Sequence, residues 1–354
     1  MISLLIYKGI VCVAVFLLSL GVAAYATLWE RKFAAFLQDR KGPNRAGKWG
    51  LLQPLADGGK MFMKEEIIPN VSNRSLFILG PSLFMVTAVM TSAVIPWGKP
   101  VMVGGHLYDL QITDINIGVI YLLGVVSIGV YGIMIGGWAS NNKFALLGAV
   151  RASSQMISYE IAMGIALIAL IISSGGSLSL KDIIEGQDKG WCNFVYQPLG
   201  FLIFFICALA ETNRAPFDLP ECETELVGGY HTEYSSMKLG LFLFAEYINM
   251  FISSAIMAGF YFGGYNFPFA HEFYQWLGLE EGSWLISLIG FGAYFTKIFL
   301  FICLFMWVRW TLPRFRYDQL MNLGWKTLLP LSLLNLGITV LVEIFIRKTI
   351  PFHF

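Results

Sequence analysis

Residues 284–308 read WLISLIGFGAYFTKIFLFICLFMWV, with Lys297 as their single charged side chain. About 20 mostly apolar residues, rising 1.5 Å each in helical form, cross the hydrocarbon of a bilayer. This run is long enough and apolar on every face, so it predicts a transmembrane helix. The same pattern recurs at roughly 4–28, 75–96, 117–138, 155–174, 194–210, 239–263 and 327–346. About eight spans follow, and with them an all-α, polytopic membrane protein. The stretch 194–210 is the shortest. It runs into Glu211-Thr212-Asn213-Arg214, and Pro216 and Pro220 forbid a continuing helix. Of the 354 residues, 56% are hydrophobic and 13% charged, and the mean hydropathy is +0.66. Soluble domains carry about 25% charged residues. The deficit is what a bilayer demands, because a charge in hydrocarbon is costly. One integral membrane domain over 1–354 is expected.

The charges that remain are sorted by loop. Numbered by the helix they follow, the odd loops hold seventeen Lys and Arg, the opposite side holds six, and Lys297 lies within a span. The positive-inside rule then puts the odd loops in the cytoplasm and both termini outside. Those loops, about 29–74, 139–154, 211–238 and 309–326, are too long to be simple turns and read as a docking surface. Within the first, Leu51 to Ile68 alternates apolar residues with Gln53, Asp57, Lys60 and Lys64. That is the pattern of an amphipathic helix lying in the interface. The first apolar run is longer than a signal-peptide core and lacks a clear cleavage site, so it is expected to be kept.

Several chemistries are excluded or weakened. The net charge of +1 gives no reason to expect a nucleic-acid partner. Cys12, Cys192, Cys207, Cys222 and Cys303 form no C-x-x-C pair, and the four histidines are scattered, so no metal site is expected in this chain alone. Gly42-Pro43-Asn44-Arg45-Ala46-Gly47-Lys48 imitates a P-loop. Trp49 stands where Ser or Thr should hold magnesium, and no strand precedes it. No dinucleotide fingerprint is present.

The costly residues are carboxylates. Glu160 sits just inside the fourth span, Glu246 inside the sixth, and Glu211 closes the fifth. Intramembrane acids generally face a protein interior or water, and by default mark function. The bland reading is a neutral acid hydrogen-bonded between helices. Loop five adds Asp218, Glu221, Glu223 and Glu225, with Arg214 the one basic residue among them. Phe217, Leu219, Leu226 and Val227 would draw that loop into a packed place. Burial and like charges would then push its carboxylates toward proton exchange near neutrality. Loop one offers the opposite charge, with Arg31, Arg40 and Asp57 as candidates to line a cavity at the bilayer surface. Lys297 is a candidate partner for an intramembrane acid.

These residues resemble a known family. Trp29-Glu30-Arg31-Lys32, Gln38-Asp39-Arg40-Lys41-Gly42-Pro43-Asn44 and Gly50-Leu51-Leu52-Gln53-Pro54-Leu55-Ala56-Asp57 are similar to the first cytoplasmic loop of the H subunit of respiratory complex I. That complex is the proton-pumping NADH–quinone oxidoreductase. The mitochondrial counterpart of this family is NADH dehydrogenase subunit one. Gly137-Trp138-Ala139-Ser140-Asn141, Ser158-Tyr159-Glu160, Glu211 to Asp218, Glu246-Tyr247 and Pro313-Arg314-Phe315-Arg316-Tyr317-Asp318-Gln319-Leu320 carry the likeness along the rest of the chain.

The resemblance implies a non-autonomous subunit of a translocase, with no complete active site of its own. It implies much of a quinone (ubiquinone-type) tunnel at the elbow between the membrane arm and the hydrophilic arm. Arg31, Arg40, Asp57, Phe217 and Asp218 would lie at the quinone cavity. Glu160, Glu211, Glu221, Glu223, Glu225 and Glu246 would couple quinone reduction to proton movement. NADH, FMN and the iron–sulfur clusters would sit on partner subunits, and quinone and membrane lipid would meet this one. The third span, Ile117 to Trp138, contains no acid, so a proton route there would need water or another helix. A stand-alone ion transporter fits the buried acids equally well, and the long patterned loops less well. Related complexes fed by other electron donors stay closer. Absence of a transit peptide and long exterior loops favour a bacterial inner membrane, with the mitochondrial inner membrane as the alternative.

Overall fold

The computed structural model describes residues 2–103, 106–187, 192–220, 223–268, 270–278 and 282–349. In chain order the helices are α1 (Ile2–Leu37), α2 (Gln53–Met63), α3 (Arg74–Thr91), α4 (Gly118–Ala139), α5 (Lys143–Ser173), α6 (Leu180–Glu185) and α7 (Asn193–Tyr196). Then come α8 (Pro198–Glu211), α9 (Glu223–Leu226), α10 (Ser236–Phe262), α11 (Ala270–Trp276), α12 (Trp284–Thr311), α13 (Tyr317–Asn322) and α14 (Leu329–Thr349). Among the described residues, seven helices are long and apolar enough to cross a membrane, and α8 is a shorter apolar helix of 14 residues. The all-α polytopic reading therefore holds. A three-residue hairpin, β1 (Val101–Val103) against β2 (His106–Tyr108), pairs Met102 with Leu107.

Helix starts follow local chemistry. Asn73 Oδ1 accepts from the amides of Ser75 and Leu76 at the head of α3, and Asn142 Oδ1 accepts from Phe144 N at the head of α5. These side chains satisfy donors that the first turn leaves unpaired. α8 opens on Pro198, whose missing N–H costs nothing there. Four boundaries depart from the sequence reading. α1 continues to Leu37 rather than 28, α5 begins at Lys143 rather than near 155, and the amphipathic helix is confined to 53–63. The last helix begins at Tyr317, running through a π-helical stretch at Leu323–Leu328 before Pro330. Apolarity marks where the hydrocarbon ends, not where the helix ends. Polar helix formers such as Glu30, Arg31 and Lys32 carry α1 onward until a breaker stops it. The widened π turn accommodates Pro330, which cannot donate and crowds the carbonyl one turn back.

The bundle is arranged around α10, which contacts α1, α3, α8 and α12 and is buried on every face from Met250 to Tyr261. α3 and α4 touch backbone to backbone. A Cβ on Gly80 would lie 2.8 Å from Gly136 Cα, and one on Gly132 would lie 2.8 Å from Phe84 N. The odd loops gather at one end. Ile67 N donates to Ser235 Oγ at 3.0 Å, Asn142 Nδ2 to Glu233 Oε1 at 2.6 Å, and Phe315 N to Pro216 O at 3.2 Å. Lys238 pairs with Glu66 there. At the other end Tyr7 donates to the Asp109 carbonyl at 3.0 Å, and Lys181 pairs with Asp109 at 3.0 Å. The loop sorting read from charge is thus a sorting in space.

Gly132→Leu is expected to destabilise the protein by about 1–3 kcal/mol, because overpacking must push α3 off α4. Gly124→Ala, where nothing lies within 4 Å, is expected to be tolerated. Thermal denaturation of the detergent-solubilised protein distinguishes them.

Candidate functional site

Glu30 gathers the odd-loop end of the bundle. It projects from α1, is 5% exposed, and accepts from Arg214 Nη1 at 2.6 Å and from Tyr247 Oη at 2.9 Å. Arg309, near the end of α12, pairs with its other oxygen. The Arg214 guanidinium also stacks over the Tyr247 ring, 4.1 Å from its centroid. One carboxylate therefore ties α1, loop five, α10 and α12. Burial pulls the Arg214 guanidinium down, but Glu30, Tyr247 and Glu246 outweigh it and hold the group above its usual value. Next to Tyr247 in sequence, the buried Glu246 accepts from Tyr230 Oη at 2.7 Å.

Loop five is held from behind as well. Gln155 Nε2 on α5 donates to Ala210 O at 2.7 Å and Phe217 O at 3.0 Å. Asn213 takes the left-handed conformation at φ 48°, which turns the chain after α8. Phe217 is buried between Tyr159 and Phe315, with ring centroids 5.6 and 5.5 Å away. Asp218 pairs with Arg314 of loop seven at 3.0 Å.

The residues predicted to share one cavity make separate contacts. Arg31 pairs with Asp57 at 2.8 Å, and Gln53 Nε2 donates to the other Asp57 oxygen at 3.0 Å. Arg40 is exposed, with its Nε on Gln38 Oε1 at 2.7 Å. Phe217 and Asp218 pack on loop seven instead. Two recesses open on this face. One of about 470 Å³ is bounded by Pro69, Asn142, Lys143 and Glu233, and one of about 280 Å³ by Lys32, Lys41 and Trp49. None of the five predicted residues lines either.

The predicted proton-coupling acids also divide. Glu160 lies well along α5, not just inside its start, because the helix begins at Lys143. It accepts from Ser127 Oγ of α4 at 3.0 Å, so the acid-free third span contributes a hydroxyl. Glu211 ends α8, which packs on the α5 helix that carries Glu160. Glu246 is about 15 Å along α10 from Ser236. Glu225, in contrast, makes a half-exposed pair with Arg151 at 2.7 Å. Glu221 and the side chain of Glu223 lie outside the described residues.

Sequence reading gave no special place to Glu30, Arg214, Tyr247 or Arg309. A signal existed for Glu30. Ala23, Ala26, Glu30 and Ala34 share one helical face, and all are buried. An acid on a stripe of small residues must meet a partner. Lys297 pairs with no described acid. Its ammonium donates to backbone carbonyls of Phe262, Gly264 and Asn266.

These features define a class: a polytopic helical membrane protein that buries an ion cluster where four elements meet and sets acids on several spans behind it. A family profile described as NADH dehydrogenase matches residues 10–340. The chain is 64% identical over 338 residues to the first-numbered NADH-quinone oxidoreductase H subunit of Cytophaga hutchinsonii, covering 96% of this chain and 97% of the relative. It is 60% identical over 337 residues to the corresponding H subunit of Flavobacterium johnsoniae, covering 95% of each. It is 48% identical over 323 residues to NADH-quinone oxidoreductase subunit 8 of Rhodothermus marinus, covering 90% of this chain and 91% of the relative. The chain belongs to the NADH dehydrogenase family, that of the H subunit of NADH–quinone oxidoreductase. It is a multi-pass membrane subunit of that enzyme complex, respiratory complex I, and not a complete enzyme. Other subunits of the complex are its partners.

Glu30→Gln is expected to cost about 3–5 kcal/mol, because it leaves two guanidinium groups, one fully buried, without their carboxylate. Arg31→Ala, which breaks an exposed pair, is expected to cost under about 1 kcal/mol. The denaturation temperature of the purified assembly measures both.

Proposed function

We propose that this subunit forms the membrane wall of a quinone tunnel and couples quinone reduction to proton movement. The observation that carries the reading is the placing of Glu211 and Glu160. They stand on adjacent packed helices, α8 and α5, directly behind a loop held by α1, α5, α10 and loop seven. Reduction of a quinone takes up protons and creates local negative charge. Buried carboxylates on neighbouring helices respond to a nearby charge change by taking or giving a proton. Glu246, hydrogen-bonded by Tyr230 and adjacent to Tyr247, connects the same region to the Glu30 cluster.

In this reading Arg31, Arg40 and Asp57 face the quinone path once neighbouring subunits close over the odd-loop face, and Phe217 and Asp218, buried against loop seven, form the packed wall behind it. Loops 29–74, 139–154, 211–238 and 309–326 of the single membrane domain are the docking surface. Their mutual hydrogen bonds support that role, since a docking surface must keep its shape. Glu221, Glu223 and Glu225 form the acidic margin of loop five. FMN, NADH and the iron–sulfur clusters belong to the partner subunits, and quinone and lipid approach from the membrane. A bacterial inner membrane is the proposed location. The bacterial relatives support it.

Glu211→Gln, in a complex that assembles fully, is expected to lower quinone-linked proton pumping at least about tenfold, as loss of a proton-transferring group does. Acidification driven by NADH in membrane vesicles measures it. Normal pumping in the assembled variant would sink the role given to Glu211.

A further inference from the structure

α10 ends inside the protein. Phe262 is its last helical residue, and Gly263 and Gly264 take left-handed φ values of 69° and 53°. The chain then stays buried, with Tyr265 2% and Asn266 5% exposed. This non-helical stretch lies against Lys297, which is midway between the ends of α12. Irregular backbone at membrane depth persists only where protein satisfies its polar groups. The helix end leaves carbonyls without intrahelical donors. Neutral side chains take those of Gly259 and Phe260, and one turn earlier Tyr294 Oη donates to Ala255 O at 2.9 Å. Gln187 Nε2 donates to Gly259 O and Phe260 O at 3.1 Å, and Asn193 Nδ2 to Phe260 O at 2.9 Å.

Three carbonyls beyond these, at alternate positions along the chain, turn to one atom. Lys297 Nζ donates to Phe262 O at 2.6 Å and Gly264 O at 2.8 Å, and also to Asn266 O. No carboxylate among the described residues pairs with this ammonium. What balances its charge is a set of carbonyl dipoles at the negative end of a long helix. Carbonyl groups arranged this way replace the hydration shell of a monovalent cation. They do not suit calcium or magnesium, which take carboxylates at about 2.0–2.6 Å.

We propose that the broken end of α10 is a monovalent-cation site of ammonium or potassium size, which the chain fills with its own Lys297 ammonium. The tethered charge holds the end of the helix whose other half carries Glu246 and Tyr247. Without it, the same carbonyls take a free cation of similar radius.

Two variants of the whole complex test this. Lys297→Ala empties the site, and Lys297→Met keeps the stem and fills the space without charge. Cells contain potassium, so K297A is expected to assemble with that ion bound. Purified K297A complex moved into tetramethylammonium, which is too large for the site, is expected to denature roughly 2–4 °C lower or more and to lose NADH–quinone turnover. Ammonium or potassium at the same ionic strength is expected to restore both. K297M is expected to show the loss without the rescue. Equal rescue by tetramethylammonium, no rescue at all, a K297M complex indistinguishable from the unaltered one, or failure of K297A to assemble where K297M assembles would each overturn the proposal.

Discussion

A buried carboxylate between two guanidinium groups is the constraint on which the odd-loop end of this protein depends. Removing Glu30, Arg214 and part of Arg309 from water costs several kcal/mol per ion before their attraction is counted. The arrangement is stable because every side offsets that cost. Arg214 bonds Glu30 at 2.6 Å and stacks on Tyr247, and Tyr247 in turn donates to Glu30. Four elements distant in sequence must be in register for this to happen. The cluster therefore specifies where loop five sits as well as adding to stability.

The first part of loop five is held by its surroundings on several sides. Gln155 grips it from α5, Arg214 from the ion cluster, Phe217 from the aromatic packing and Asp218 from loop seven. Glu211 enters that loop from α8, which packs on α5, where Glu160 is steadied by Ser127 of α4. Surface pairs such as Arg31–Asp57 and Arg151–Glu225 add little energy, being screened by water.

The opposite end of α10 obeys the same rule in a different form. There the charge is a lysine and its partners are backbone carbonyls, because the helix stops where hydrocarbon would otherwise surround its end. The central helix is held by ionic contacts at both ends. Between those contacts, the stretch from Met250 to Tyr261 is buried on every face.

Fold class and the segregation of loops were legible in the sequence, because a bilayer imposes length and apolarity on each segment independently of the others, whereas among the described residues seven of the eight expected spans are long enough to cross and the fifth is the 14-residue α8. The helix ends beyond the membrane were less legible, since polar helix formers extend α1 to Leu37 and α5 back to Lys143 without changing the hydropathy signal. Glu160, Glu211 and Glu246 stood out as costly acids from composition and position alone. Which of them meet, and that Glu225 is a surface pair instead, depended on how the helices turn against one another. The Glu30 cluster and the Lys297 cradle belong wholly to tertiary structure. An acid's partner comes from a different helix, and a lysine's carbonyl partners leave no residue signature, because every residue has a carbonyl. Only the fold decides which ones point at the same ammonium.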